Sequence, residues 1–417
     1  MKCFGVMIIA AAVVFGVVFS VSAEPTKIVP FVSLKQEYSD NILFSDDNEK
    51  EDYITTLSGM IAVKQKTEVL NAGIQVRLDQ LFYHDYDQLD SLDKFFSGNV
   101  NYRTTERLGL GATARYSENS RRDQDADTTG LLLSGDREES QFSLSSDYLF
   151  SEVTRGDITL GYGLVEVDEI NNNEDDDNFK IDISFSKNLS QIFKNTTGIL
   201  NLSYFRYSAD IETTTPGGVI TSTAFQEYIT DIFQFSTGFS KNITELYSVY
   251  CQVGASYSLT DESLRTRNIL TGSGVLVSDV ISPEQEDDIW GGVLLAGLNY
   301  VGLYYDIGLS LSRDMRGASG TNGAVERTSV AGNIDGKLTD KFSFTLDASY
   351  YLNKNERNNQ ADTDELTLNI QPGFKYKFDH DFKLSCFYRY TSVENRQNNT
   401  SSERNLIYIV IKKEFEL

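Results

Sequence analysis

Histidine is the scarcest catalytic side chain in the sequence: there are two, His380 in a tight turn and His84 in the second long loop, and the candidate is His84, in Tyr83-His84-Asp85-Tyr86-Asp87. An imidazole oriented by a carboxylate could activate a hydroxyl nucleophile for hydrolysis. No G-x-S-x-G segment supplies that nucleophile, so His84 reads as an ordinary polar-loop histidine. Asp123, Asp125 and Asp127 imitate the start of a calcium loop, but Thr128 stands where the turn needs Gly and Ser134 where the bidentate Glu belongs. No catalytic residue, metal site or cofactor is therefore expected. The remaining chemistry-bearing side chains are charges spaced two apart, which points to the elements that carry them.

The stretch Phe342 to Lys354, FSFTLDASYYLNK, shows the rule. Phe342, Phe344, Leu346, Ala348, Tyr350 and Leu352 alternate with Ser343, Thr345, Asp347, Ser349, Tyr351 and Asn353, the period of a strand with one oily and one polar face. With 23 Tyr, 25 Phe, 30 Gly and only 5 Pro in 417 residues, the composition suits many long strands and few helices. The first residues differ: Lys2, an apolar run from Cys3 to Val21, then Ser22-Ala23. This reads as a secretory signal peptide over 1–23, cut before Glu24; an uncleaved anchor is the alternative for a run of this length. No other segment is apolar for long enough to cross a bilayer as a helix, so any further membrane crossing falls to strands.

Period-two runs predict about 18 strands (alternatively 16), each of roughly 10–14 residues, longer than strands of soluble proteins and sufficient to cross a bilayer at a tilt. They start near 31, 53, 69, 94, 107, 139, 157, 178, 197, 226, 246, 287, 303, 326, 342, 364, 382 and 404. The linkers alternate long and short, as in SDNILFSDDNEKED then KQKTE, or KNERNNQADT then DHD. Tight turns on one side and long loops on the other mark an outer-membrane antiparallel up-and-down β-barrel. The expected organisation is a signal peptide (1–23), a short periplasmic segment (24–30) and the barrel (31–417). Nothing before the first strand is long enough for a plug domain, and the loops near 118–138 and 261–286 are the candidates for an internal constriction.

A barrel in lipid is inside-out, so the row containing Phe342 should face lipid and the row containing Asp347 the lumen. Aromatics gather at strand ends as two interfacial girdles. Tyr116, Tyr257, Trp290 and Tyr350 lie toward the long loops, and Tyr102, Tyr247, Tyr300 and Phe342 toward the tight turns. Lumen parity falls on Arg77, Arg103, Arg107 and Arg115 on one side and on Asp182, Asp306, Asp335 and Asp347 on distant strands. Opposed walls of this kind would filter solutes by charge; simple pairing with neighbours is the alternative. Cys251 and Cys386 lie on far-apart strands and read as unbridged surface residues.

The formal charge is −24, which argues against nucleic acid as a partner. Acidic blocks such as RRDQDADTTG, NNNEDDDN and SPEQEDD read as solvated loops able to attract divalent cations beside lipopolysaccharide. The last strand carries Ile407, Ile409, Ile411, Phe415 and Leu417 on one parity. This row, with Ile411, Phe415 and Leu417 at its end, resembles the C-terminal signal read by the outer-membrane barrel-assembly machinery, with Leu417 in place of an aromatic and Lys413 within the apolar row.

The opening EYSDNILFSDD followed by YITTLSGMIAV, with Tyr38, Asp40, Asn41 and Ile42 before the first long loop, resembles the outer-membrane β-barrel porins of Gram-negative bacteria, of the type 2 kind. The resemblance in layout spans the mature chain and implies an outer-membrane location, with some relatives associated with exopolysaccharide export. The leading expectation is a passive channel for small hydrophilic solutes, with the bilayer, lipopolysaccharide and the assembly machinery as partners. The alternatives are a component of exopolysaccharide export or secretion machinery, and a structural or adhesin-like barrel acting through its acidic loops. Nothing marks a subunit interface.

Overall fold

Strands can cross a bilayer only if every backbone group is paired within the wall, which forces the sheet to close. The computed structural model describes residues 26–120, 136–169, 172–215, 220–270, 276–317, 324–355, 363–379, 381–397 and 399–415. These form one antiparallel sheet of β1 (Lys27–Ser39), β2 (Asp52–Lys66), β3 (Leu70–Tyr83), β4 (Ser91–Arg103), β5 (Leu108–Asn119), β6 (Asp136–Ser151), β7 (Thr154–Glu169), β8 (Asn172–Asn188), β9 (Thr196–Thr215) and β10 (Ile220–Asn242). It continues through β11 (Tyr247–Leu270), β12 (Leu276–Ile281), β13 (Gln285–Val301), β14 (Tyr305–Gly317), β15 (Ala324–Lys337), β16 (Phe342–Asn355), β17 (Thr363–Lys377), β18 (Phe382–Asn395) and β19 (Thr400–Glu414). Pairing of β1 with β19 closes the ring. Both β12 and β13 pair with β11, Ile281 opposite Arg265 and Gln285 opposite Glu262. They are one stave interrupted at 282–284, and the closed barrel has 18 staves.

The alternation predicted for each strand sets the faces. Along β2, Tyr53, Leu57 and Ile61 are 54, 55 and 57% exposed, whereas Asp52, Ile54, Thr56 and Ala62 are buried. The first row looks out, the second in. Register carries this parity around the ring, so Phe342, Phe344 and Leu346 of β16 meet the outward Tyr376, Phe374 and Pro372 of β17.

Four tight turns share one device that the sequence repeats as T-[ED]-x-[LYF]. The Oγ1 atoms of Thr67, Thr105, Thr244 and Thr339 accept from the N–H of the residue three on, Leu70, Leu108, Tyr247 and Phe342, at 2.9, 3.0, 3.1 and 3.0 Å. Each hydroxyl occupies a backbone donor that would otherwise point out of the turn.

The observed limits differ from expectation where wall continues past the apolar band. β1 begins at Lys27, with Lys27 to Pro30 paired to Lys64 to Ile61, so 27–30 belong to the barrel rather than to a segment before it. The acidic run Glu174–Asp177 is strand, not loop: it pairs with Val167–Leu164 of β7. Backbone pairing tolerates carboxylates there because outer-face Asp175 and Asp177 lie beyond the apolar rows. The block SPEQEDD likewise runs into β13 from Gln285. The stretch 261–286 is not a long loop, since β11 stays paired with β10 up to Leu270 opposite Ile220 while β12 covers its other edge. Its described residues extend the wall. The other constriction candidate, 118–138, and the aspartates at 123, 125 and 127 lie mostly or wholly outside the described residues. β19 ends at Glu414, so Phe415 follows the strand and Leu417 lies outside the described residues.

Candidate functional site: the lumen

The outer face explains the girdle residues first. Tyr257 and Trp290 are register partners with ring centres 4.7 Å apart, in a row continued by Phe233–Tyr204 at 5.1 Å and Tyr204–Phe179 at 6.5 Å. At the tight-turn side Tyr247 faces Tyr300 at 4.8 Å, and Phe342 stacks on Phe374 at 5.7 Å. Tyr102, Tyr116 and Tyr350 share the outward parity, Tyr102 next to Leu70 and Leu110, Tyr116 next to Phe96, and Tyr350 between Val330 and Leu368.

Inside, seven of the eight charged candidates sit on lumen-facing rows. Arg77 holds Asp79 at 3.2 Å and lies 4.0 Å over the Phe95 ring, Arg103 holds Asp147 at 2.9 Å, and Arg115 stands opposite Ser97 and Gln141. Asp182 accepts from Ser203 at 2.6 Å and meets Lys180 at 2.9 Å. Asp306 and Asp335 are register partners, and Asp347 lies one stave further, opposite Asn333. Arg107 is the exception: it occupies the turn before β5, its N–H on Thr105 Oγ1 at 3.2 Å, because the Thr-led turn begins two residues before it. The three carboxylates on β14–β16 thus stand across the ring from Arg77, Arg103 and Arg115 on β3–β5.

A second basic strip joins these walls and was not anticipated. On β17, β18, β19 and β1, inward Phe387 and Tyr408 stack at 5.0 Å, with Lys375 Nζ 5.8 Å over the Phe387 ring and Lys35 Nζ 4.8 Å over Tyr408. Lys412 Nζ lies 3.9 Å over Phe31, and Arg389 Nε donates to Gln371 at 2.6 Å. A lumen cleft of about 320 Å³ is lined here by Asn333, Asp347, Asn369, Gln371 and Arg389. The signal was present, since Phe387 alternates with Lys383, Ser385 and Arg389, a polar row that carries one ring.

Among the described residues, the lumen is narrowed by strand. β13 and β14 pair only from Val301–Asp306 to Leu294–Arg313; above that, β13 remains with β11 and β14 with β15. The freed ends of β14 (Asp314–Gly317) and β15 (Ala324–Arg327) turn inward behind β13. Met315 packs with inward Ile232 of β10 and with Ala324, beside Phe205 and Ile289. The Gln234 side-chain amide donates to Met315 O at 2.6 Å. Gly317 lies so close to β9 that a Cβ there would come 2.7 Å from Tyr207 Cβ.

At the outer rim, the residues of the Tyr38–Ile42 motif stitch the ring closed. Asp40 accepts from the backbone and side-chain N–H groups of Asn405, both at 2.7 Å, and buried Asn41 donates to Ser45 O at 2.7 Å and Glu403 O at 3.0 Å. His84 meets Thr55 Oγ1 at 2.9 Å, but that hydroxyl directs its proton to Gln36 Oε1 at 2.7 Å. The imidazole is therefore a donor to a threonine already committed elsewhere, not its activating base. Cys251 and Cys386 are both free.

No protein-family model matches the chain, and no curated protein matches it. Among solved structures, the open form of the ferric-catecholate import receptor Fiu from E. coli K12 aligns with TM-score 0.52 and 8% identity over 94% of this chain and 82% of that one. The ferric citrate transporter FecA aligns at 0.46 and 9% identity, and the copper transporter OprC at 0.46 and 9%. The chain spans 61% of the length of FecA and 65% of OprC. The likeness to Fiu shows a shared fold, the closed antiparallel barrel.

Proposed function

We propose that the chain is an outer-membrane channel that lets small hydrophilic solutes diffuse through its lumen. The observation that carries this reading is a closed ring of 18 staves, apolar outside and lined by Ser, Thr, Asn and charged side chains inside. A barrel of this size encloses an aqueous space, and the Asp306–Asp335–Asp347 wall facing Arg77, Arg103 and Arg115 would order water and select solutes by charge and dipole. The leader over 1–23 would deliver the chain across the inner membrane. The exposed row Ile407, Ile409, Ile411 and Phe415 would engage the assembly machinery, where Lys413 is accommodated over the Phe382 ring at 4.6 Å. The acidic wall extensions would meet lipopolysaccharide through divalent cations.

The aromatic and lysine strip around Phe387 and Tyr408 favours a second reading, guidance of an acidic polysaccharide strand in an export system, since rings stack on sugars while cations hold carboxylates. Single-channel conductance of the refolded chain in a planar bilayer tests the first reading. Steady ohmic current supports it. A folded, heat-modifiable but silent protein overturns it.

A further inference from the structure

A lumen for polar solutes has no use for an apolar wall, yet β9, β10 and β13 turn Phe205, Tyr207, Ile232, Ile289 and Val293 inward. The patch lies directly behind the place where the barrel wall is unzipped. From Gln285 to Val293 the β14-facing edge of β13 has no described strand beside it; from Trp290, in the outer aromatic row, to Val293 this is a costly arrangement in a membrane that continued pairing would remove. On the outer side the gap is a cleft of about 470 Å³, one part lined by Ile289, Trp290, Met315, Ala324 and Leu352 and the other by Thr328, Lys354 and the Arg313–Glu326 ion pair (2.6 Å). Trp290 belongs to the outer aromatic row, so the cleft opens at the lipid boundary of the external leaflet. Along one side of the cleft, apolar side chains run from Trp290 and Leu352, by way of Met315 and Ala324, to Ile232 and Phe205 inside.

We propose that this seam is a lateral portal. A molecule with an apolar or alkyl body enters by the outer mouth, meets the inner patch, and leaves sideways into membrane hydrocarbon without crossing the charged headgroup layer. The ends of β14 (Asp314–Gly317) and β15 (Ala324–Arg327), together the tip of this strand pair, are its door. In the structure the tip rests on β10; the alternative is to continue the β13–β14 ladder, which by extension of the Leu294–Arg313 register puts Met315 opposite Gly292 and Gly317 opposite Trp290. The portal conducts only while the tip is free to leave both positions. This function is additional to the polar channel: Asp306 and Asp335 lie at the tight-turn ends of β14 and β15, and the portal uses the other ends of the same two strands.

Two disulfide locks test it, each in a chain carrying Cys251→Ala and Cys386→Ala and checked for folding by heat-modifiability. Ile232→Cys with Met315→Cys fixes the tip inside, and Gly292→Cys with Met315→Cys zips the wall. Cells expressing each variant are given phenylnaphthylamine, an apolar dye that fluoresces only in hydrocarbon, and arabinose uptake is followed in the same cells as the readout of the polar channel. The expected result is several-fold faster dye uptake with the unlocked protein than without it, falling to background with either lock and restored by a reductant. The zipped lock alone should raise arabinose uptake. Leu352→Asp, which needs no disulfide and places a charge in the outer cleft, should slow the dye while sparing arabinose. Dye uptake no faster than in cells lacking the protein, or indifferent to both locks and to Leu352→Asp, overturns the portal; arabinose uptake at background overturns the channel reading separately.

Discussion

Gln234 of β10 donates its side-chain amide to the Met315 carbonyl of β14 at 2.6 Å across the interior, although β11 and β13 separate the two strands in sheet order. The contact exists because β14 has left its neighbour β13 above Arg313. It gives a carbonyl on strand freed from one ladder a donor partner in the lumen.

Removing that donor should free the tip. Gln234→Leu leaves Met315 O without this partner and costs about 1 kcal/mol of local stability, the net worth of such a bond. In planar bilayers the variant is expected to show larger or more frequent open levels than the parent. An unchanged current record would separate the tip from conductance.

The adjacent strands β10 and β11 come closest at two glycines. A Cβ on Gly238 would come 1.9 Å from the Cys251 carbonyl oxygen, and one on Gly254 1.8 Å from that of Phe235. The obstructing atoms are backbone and cannot move aside, and glycine inside a strand often marks a close backbone approach of this kind. Gly254→Ala should cost at least the roughly 1–3 kcal/mol typical of overpacking. It should lower the temperature of the heat-modified gel shift, whereas Gly59→Ala, where a Cβ meets nothing within 4 Å, should not.

Closure of the ring offers a third test. Asp40 and Asn41 join the outer ends of β1 and β19 through three side-chain hydrogen bonds, two from Asn405 to Asp40 and one from Asn41 to Glu403 O, and a fourth from Asn41 to Ser45 O ties the loop after β1. Asn41→Ala strands buried polar groups, a loss of about 1–3 kcal/mol. Faster amide exchange confined to the outer halves of β1 and β19 is expected, with their inner halves unchanged.

Period two made the strands legible, and for residues such as Phe342 or Tyr247 it also fixed which side meets lipid. It could not show Met315, which has outward parity yet ends inside, because the β14 tip is placed by packing against Ile232 and Phe205 on strands distant in sequence. The inward rings of Phe387 and Tyr408 were readable from parity but masked by the expectation that aromatics mark interfaces. Glu174 to Asp177 read as loop because charge was taken to end a strand, when it ends only the lipid-facing part of one. The repeated Thr turns at 67, 105, 244 and 339 lay open in the sequence as a pattern of four residues.

Charge selectivity should follow pairing as well as parity. Arg77 is already held by Asp79 at 3.2 Å, whereas Arg115 faces the uncharged Ser97 and Gln141. Arg115→Glu should therefore move the reversal potential toward cations more than Arg77→Glu does, and Asp347→Lys should move it toward anions. Equal responses at Arg77 and Arg115 would show that the local ion pair does not screen the lumen field.

The tight turns carry a pH-dependent tie outside the membrane. Lys341 Nζ reaches Asp379 Oδ1 at 2.8 Å between two successive turns, and each holds the other charged: the hydrogen bond lowers the Asp379 carboxyl below its ordinary value and raises the Lys341 ammonium above its own. A carboxyl lowered by folding adds stability above the unfolded value, about 3.9, and loses it as pH falls through the folded one; a raised ammonium adds stability below about 10.4 and loses it as pH rises through its folded value. Full effect therefore spans the range between, and acid removes it first through Asp379. Both groups are exposed, so the contribution is small and weakens with salt. Comparing Asp379→Asn with the parent by midpoint of the heat-induced gel shift should give a difference at neutral pH in low salt that vanishes in strong acid and in high salt. A difference that persists in acid would assign the effect to the asparagine side chain in the turn and not to the ion pair.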